Sequence, residues 1–191
     1  MSTEEAAIIE VRRAAVADAD AIADVHARSW PSTYQGLLPD RLIADVVAGR
    51  DRRAAAFREL LTDESSPQRI WAAIDGDVVV GMAIWSPSRD EDATESTADL
   101  EAIYLDPEVI GQGIGRALMR RVVEDIAQAG FTEATLWVLD TNDRARRFYE
   151  AAGWRADGAS KVEERPAGTL REVRYRKPSK RMAGIAHDVH Q

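Results

Sequence analysis

The residues best suited to chemistry in this sequence lie in a glycine-spaced turn between an apolar run and an amphipathic one. The run is Leu100–Leu105, and the glycines are Gly111, Gly113 and Gly115. Glycine lets backbone N–H groups approach a ligand without a side chain in between. The start of the helix expected next adds unpaired N–H donors and a partial positive charge. The turn is therefore predicted to bind an anion such as a phosphate or pyrophosphate.

The spacing of these glycines separates three kinds of phosphate-binding loop. A dinucleotide-binding G-x-G-x-x-G loop needs a glycine where Arg116 stands, and a G-x-x-x-x-G-K-[ST] loop needs a lysine that does not follow Gly115. The spacing from Ile110 to Gly115 instead resembles the [RQ]-x-x-G-x-[GA] signature of the GNAT superfamily, the acetyl-CoA-dependent N-acetyltransferases. Its first position departs from that signature, because Ile110 cannot form a side-chain hydrogen bond.

A second segment makes the resemblance more specific. It matches the family's N-x-x-A-x-x-F-Y-x-x-x-G-[FW] pattern at six positions of fixed spacing: Asn142, Ala145, Phe148, Tyr149, Gly153 and Trp154. The spacing of Trp30, Tyr34 and Pro39 also resembles one bacterial branch of the superfamily. The resemblance extends from Val11 to Tyr175, which is most of the chain.

The resemblance implies that acetyl-CoA is the acetyl donor and that no metal takes part. The pantetheine arm is expected beside the strand at Ile103, Tyr104 and Leu105. The pyrophosphate is expected on main-chain N–H groups of Gly111, Gln112, Gly113, Ile114, Gly115 and Arg116. Asn142 has two interpretations, as a helix N-cap or as a further contact of the cofactor. Of the arginines that could meet its phosphates (Arg116, Arg144, Arg146 and Arg147), Arg116 is favoured because it lies inside the loop.

Acetyl transfer to an amine also requires proton transfer. A lysine-like amine has a pKa of about 10.4 in water and must lose a proton before it can attack, and a carboxylate can take that proton directly or through a water molecule. Asp99 and Glu101 are the candidates, because regular alternation would place both on one face of the strand. Either could instead be a solvated or ion-paired carboxylate. By its position in the family motif, Tyr149 is expected to be the general acid for the leaving thiolate.

The acceptor pocket is expected between the first two helices, where this fold usually forms it, and its candidate residues are Trp30 and Tyr34. Core packing is the favoured role for Trp30, Tyr34 could equally have either role, and His26 is expected to be structural. No motif identifies the acceptor, so a polyamine, an antibiotic, an amino acid or a protein amine all remain open. Two rival functions also remain: a non-catalytic acyl-CoA-binding or regulatory module on the same fold, and a nucleotide-binding enzyme.

The elements that must position these residues follow from hydrophobic periodicity and turn residues. One mixed α/β domain over residues 8–177 is predicted, of order β-α-α-α-β-β-β-α-β-α-β-β, and the resemblance implies a mostly antiparallel twisted sheet flanked by helices. Asp18 is expected to cap the first helix, and the stretch from Trp30 to Pro39 is expected to be a turn region. Asp75-Gly76-Asp77 predicts a hairpin. From Pro178 onward, weak patterning predicts a mobile tail.

Composition narrows the function further. The sequence of 191 residues has no cysteine, which excludes disulfides and cysteine nucleophiles. The net charge of −8 argues against non-specific nucleic-acid binding. No apolar run reaches the roughly 20 residues of a membrane span, so a cytoplasmic protein with no membrane partner is predicted. A homodimer is possible, since dimers are common in the family.

Overall fold

The structure is a computed structural model that describes residues 9–165 and 168–179. Seven strands and five helices form in the predicted order. The strands are β1 (Ile9–Arg13), β2 (Arg69–Asp75), β3 (Val78–Pro87), β4 (Thr97–Leu105), β5 (Glu133–Leu139), β6 (Arg155–Arg165) and β7 (Gly168–Pro178). The helices are α1 (Ala19–Tyr34), α2 (Asp40–Ala48), α3 (Arg50–Thr62), α4 (Ile114–Gln128) and α5 (Asp143–Ala151), with short 3₁₀ turns at Val16–Asp18 and Pro107–Val109.

All seven strands join one sheet in the order β1-β2-β3-β4-β5-β7-β6. Every neighbouring pair is antiparallel except β4 and β5. This confirms the predicted mixed α/β domain with a mostly antiparallel sheet. The parallel pair is short, since β4 and β5 are paired at three positions between Thr97–Asp99 and Glu133–Thr135. Beyond those positions the two central strands diverge.

Each face of the sheet carries its own hydrophobic core. On one face α4 buries Leu118, Val122 and Ile126 against the central strands. On the other face α1 and α3 bury Ile22 and Phe57, among others. The apolar residues of α4 recur three to four positions apart, which is the spacing that places them on one side of a helix. Helices thus pack on both faces of the sheet. The gap between the diverging strands β4 and β5 lies between these two layers.

A bulge in β4 corrects the prediction of regular alternation along that strand. Trp85 pairs with Leu100 and Ile84 pairs with Ala102, so Glu101 is an extra residue that opposes no partner. A bulge reverses which residues face each side of a sheet. Accordingly Leu100 packs in the core under α4, and after the bulge it is Ile103 that packs there. Asp99 and Glu101 are therefore not related by a simple two-residue repeat.

Helix α1 corrects two further predictions. The helix continues to Tyr34 with Pro31 inside it, where a turn region was expected. Proline removes one N–H donor, but its own carbonyl still accepts a hydrogen bond from Gln35 N–H at 3.1 Å. Asp18 does precede the helix, yet its carboxylate accepts from Ala15 N–H at 2.7 Å and from Arg12. Asp18 thus stabilises the 3₁₀ turn and does not cap α1.

The C-terminal boundary lies slightly beyond the one expected. Pro178 is the last residue of β7, and Ser179 is buried, with its N–H donating to Thr132 O at 2.8 Å. Its hydroxyl also donates to Phe131 O. The remainder of the tail expected from Pro178 onward, residues 180–191, lies outside the described residues. Among the residues that are described, no helix is long and apolar enough to cross a membrane.

Candidate active site

A cavity of about 400 Å³ lies where β4 and β5 diverge. It runs along the sheet between the glycine turn and the ends of α1 and α5. It is lined by Leu100–Leu105 of β4, Trp137–Leu139 of β5, the glycine turn with Arg116, one side of α5 (Arg144, Ala145, Phe148 and Tyr149) with its cap Asn142, Thr33 and Tyr34 of α1, and Glu172 of β7. Most of the predicted site residues therefore meet in one place.

The glycine turn has free N–H groups beside this cavity, which Gly111, Gly113 and Gly115 line and Ile114 does not. Gly111 and Gly113 have φ of +90° and +87°, a conformation that non-glycine residues rarely adopt. Within the described residues, the N–H groups of Gly111, Gly113, Ile114 and Gly115 have no hydrogen-bond acceptor. The side chain of Ile114 is buried in the core under α4, so only its backbone is available. These donors stand at the start of α4, as the sequence predicted.

Two of the six N–H groups expected to hold a pyrophosphate are already engaged. Arg116 N–H donates to Gly113 O at 3.1 Å, and Gln112 N–H lies 3.4 Å from Val109 O. The side chain of Gln112 also points away, since its amide donates to Glu108 O. Arg116 can contribute through its side chain, which lines the cavity.

The divergent strands provide a second polar surface. The edges of β4 and β5 that face each other beyond Asp99 and Thr135 are not paired with one another. Ile103, Tyr104 and Leu105 lie on this stretch of β4 and all line the cavity. An extended ligand could take up the backbone groups of such an edge, much as an added strand does.

The two candidate bases occupy different environments. Glu101 lines the cavity, and its carboxylate accepts from Ser86 Oγ at 2.5 Å and from Gln68 Nε2 at 2.6 Å. Asp99 does not line the cavity. Its Oδ1 is buried and has no hydrogen-bond partner in the described part of the chain. Burial, followed by the nearby charge of Glu101, raises the pKa of Asp99 to about 7.

Tyr149 and Asn142 enter the cavity from α5. Tyr149 packs edge-on against Phe148, with ring centroids 5.5 Å apart, and also against Trp154. Burial raises the pKa of Tyr149 above its usual value, so the hydroxyl keeps its proton at neutral pH. Asn142 caps α5, because its side-chain oxygen accepts from Ala145 N–H at 3.1 Å. The cap interpretation is thus confirmed, and Asn142 lines the cavity as well.

The residues expected to form the acceptor pocket separate into two groups. Tyr34 lines the cavity, and its hydroxyl lies 3.1 Å from that of Tyr104. Trp30 does not line it: its indole donates to His26 Nε2 at 3.1 Å, and its ring is tilted by 56° to that of Tyr34 with the centroids 4.7 Å apart. Burial lowers the pKa of His26 to about 4, so this histidine is neutral at physiological pH. Trp30 and His26 therefore support the wall behind Tyr34.

Sequence reasoning missed several residues of the cavity wall, among them Trp137 and Glu172. They come from different strands, and neither belongs to a motif. Arg144 also lines the cavity, whereas Arg146 donates to Tyr175 Oη and to Asp140 O away from it. The alternation of β5 could have shown that Trp137 points away from the core that contains Leu136 and Val138. Glu172 carried no comparable signal.

Comparison with known proteins gives the class. Residues 21–154 match the model of the acetyltransferase (GNAT) family. An uncharacterised N-acetyltransferase of Mycobacterium bovis is 34% identical over 143 residues, which is 74% of this chain and 85% of that protein. Spermidine N(1)-acetyltransferase of Thermoplasma acidophilum is 22% identical over 78% of this chain and 89% of its own.

Solved structures agree on the fold. The PaiA N-acetyltransferase of Thermoplasma acidophilum, in a complex with coenzyme A, superposes with a TM-score of 0.69 at 20% identity. That alignment covers 90% of this chain and 99% of the other. The chain belongs to the GNAT family of N-acetyltransferases, which confirms the class and the fold predicted from the two sequence segments.

Proposed function

We propose that this N-acetyltransferase transfers the acetyl group of acetyl-CoA to a primary amine by direct attack, with donor and acceptor bound together. The observation that carries the proposal is the unpaired edge of β4, which leads to a turn with four free N–H donors while Glu101 and Tyr149 line the same cavity. The relative named for spermidine and the related structure that contains coenzyme A support this choice of acceptor and donor.

The described residues fit a CoA group. Gly111, Gly113, Ile114 and Gly115 would bind its pyrophosphate through backbone N–H groups at the positive end of α4. Arg116 would add its guanidinium charge. The open edge at Ile103, Tyr104 and Leu105 would hold the amide-containing arm. When bound, acetyl-CoA supplies a thioester as the acetyl source.

The proton of the acceptor amine would go to a carboxylate. Glu101 is the better placed of the two candidates, because it lines the cavity whereas Asp99 does not. The hydrogen bonds from Ser86 and Gln68 fix the orientation of the Glu101 carboxylate. Asp99 would not contact the acceptor. It would be a buried acid whose pKa is raised in part by the negative charge of Glu101.

Tyr149 would provide a proton to the departing sulfur. Tyr149 lies in the last turn of α5 and lines the cavity, and its hydroxyl stays protonated because burial raises its pKa. A covalent acetyl-cysteine is excluded, since the sequence contains no cysteine. The proposal therefore assigns direct transfer between the two bound substrates.

The proposal is tested by measuring the release of CoA thiol from acetyl-CoA in the presence of a panel of primary amines. The wild-type protein should release thiol in proportion to amine, and Glu101→Gln should lower kcat by about 100-fold because the proton acceptor is lost. Glu59→Gln, which alters an exposed glutamate of α3, is the matched control and should behave as wild type. Tight CoA binding, with no CoA thiol released in the presence of any tested amine, would instead favour the non-catalytic acyl-CoA-binding module.

A further inference from the structure

One basic side chain of the protein contacts two residues of the cavity wall as a ligand would, although it does not itself line the cavity. The Lys161 ammonium is 4.3 Å from the ring centroid of Trp137 and 3.2 Å from Glu172 Oε2. Trp137 and Glu172 both line the cavity. An aromatic face together with a carboxylate is a favourable environment for an alkylammonium group. The wall thus contains a cation site that is filled by the chain itself.

The aromatic part of this site is held rigidly. Trp137 Nε1 donates to Asp90 Oδ1 at 3.0 Å, and Arg174 lies over the same ring, 5.5 Å from its centroid. Arg174 is almost completely buried and bonds to Asp90, Asp92 and Asp157 at 2.6–3.0 Å. The orientation of the indole therefore does not depend on Lys161.

Lys161 is held much less firmly than Arg174. Its side chain is 47% exposed, against 8% for Arg174. Within the described residues it makes one ion pair and one ring contact, and half-exposed pairs of this kind contribute little to stability. Lys161 can therefore leave, while the indole and the Glu172 carboxylate remain in place.

We propose that Trp137 and Glu172 form a binding site for a second, non-reacting ammonium group of the acceptor, and that Lys161 occupies this site until the acceptor displaces it. This deepens the proposed function and rests on it. The amine that attacks must lose its proton, but an ion pair with Glu172 and a contact with an aromatic face favour the charged form. The group bound here is therefore not the nucleophile, and the acceptor class is a diamine.

The competition by Lys161 gives a measurable consequence. When a side chain of the protein fills a binding site in most molecules, the apparent affinity of a ligand for that site is its intrinsic affinity multiplied by the fraction of molecules in which the site is free. Lys161→Met keeps most of the side-chain length but removes the charge. It should tighten the binding of 1,4-diaminobutane by about tenfold. Lys177→Met is the matched control, because that lysine donates to Ala152 O and, within the described residues, makes no ion pair with Glu172 and no ring contact with Trp137.

The experiment is isothermal titration of the full chain with 1,4-diaminobutane, with and without CoA, so that no turnover occurs. Trp137→Leu or Glu172→Gln in the Lys161→Met background should abolish the gain, and Trp137→Phe should retain most of it because a ring remains. Thermal melting of each variant confirms that it is folded. In steady-state assays Lys161→Met should lower KM for the diamine and leave KM for n-butylamine unchanged.

Three results would overturn the ammonium site: unchanged or weaker diamine binding in Lys161→Met, an equal gain in Lys177→Met, or a gain that survives loss of both Trp137 and Glu172. The titration does not need acetyl transfer, so the two proposals can fail separately. If no amine is acetylated but Lys161→Met still binds the diamine more tightly, the ammonium site is supported and the proposed transfer reaction is contradicted.

Discussion

The hydroxyl groups of Tyr34 and Tyr104 lie 3.1 Å apart and join the end of helix α1 to strand β4 at the cavity. Burial raises the pKa of both tyrosines, so each hydroxyl keeps its proton and one donates to the other. The T-shaped contact of His26 with Tyr104 and the tilted ring contact of Trp30 with Tyr34 support the pair from behind. This contact fixes the helical wall of the cavity against the strand that would carry the cofactor arm.

Removing one hydroxyl of this pair should therefore destabilise the protein. Tyr34→Phe is expected to lower the free energy of unfolding by about 1–2 kcal/mol, because Tyr104 loses its partner in a buried place. Tyr104→Phe should have a similar effect, and the double variant should cost less than the sum of the two. Denaturant unfolding of the four proteins measures this cycle. Strict additivity would show that the two hydroxyls do not interact.

The proposed role of Tyr149 predicts a selective loss of turnover. Tyr149→Phe should lower kcat by about 100-fold, since general acid catalysis typically contributes at least that much, and should leave CoA affinity within twofold. Tyr175→Phe is the matched control: this tyrosine is fully buried, donates to Glu150 Oε1 at 2.7 Å and does not line the cavity. It should cost stability and retain kcat. Near wild-type turnover of Tyr149→Phe at every pH would exclude the general-acid role.

Much of the fold could be predicted because its signals are local. The helical periodicity of α4 and the Asp75-Gly76-Asp77 turn each depend on a few adjacent residues, and both elements form as expected. The extension of α1 past Pro31 could not be predicted in this way. There the packing of Trp30 and Tyr34 in a cluster with Leu139, and the contact of Tyr34 with Tyr104, outweigh the missing hydrogen bond of the proline.

The candidate site was predictable only where it follows a motif. The glycine turn and Tyr149 occupy one cavity, in agreement with their spacing in the sequence. Glu101 was expected on a regularly alternating strand, but a bulge is a property of two strands in register and leaves no mark in one of them. Trp137 and Glu172 meet only through the pairing of β5 with β7, which a single sequence does not reveal.

The proposed pyrophosphate site predicts that two glycines of similar conformation differ in function. Gly113 and Gly130 have φ of +87° and +96°, and an added Cβ would meet no close backbone at either. Substitution by alanine should cost about 1–2 kcal/mol of stability at each position, because the left-handed conformation strains any other residue.

Only Gly113→Ala should also weaken CoA binding, by about tenfold or more, since relief of the strain moves the free N–H groups of the turn. Isothermal titration with CoA measures the difference, and Gly130→Ala serves as the control for strain alone. Equal CoA affinity in the two variants would contradict the assignment of the turn to the pyrophosphate.

The buried carboxyl of Asp99 predicts a particular dependence of stability on pH. Its pKa is about 7 in the folded protein, whereas an unperturbed aspartate has a pKa of 3.8. The folded state therefore binds more protons than the unfolded state between these values, and the contribution of Asp99 to stability is lost as the pH rises through about 7. Asp99→Asn is neutral at every pH, so its free energy of unfolding relative to wild type should rise between pH 4 and pH 8, by on the order of 3 kcal/mol. Denaturant unfolding at pH 4, 6 and 8 measures the difference, with the exposed Asp77→Asn as control. A difference between Asp99→Asn and wild type that does not change with pH would show that Asp99 is ionised throughout this range.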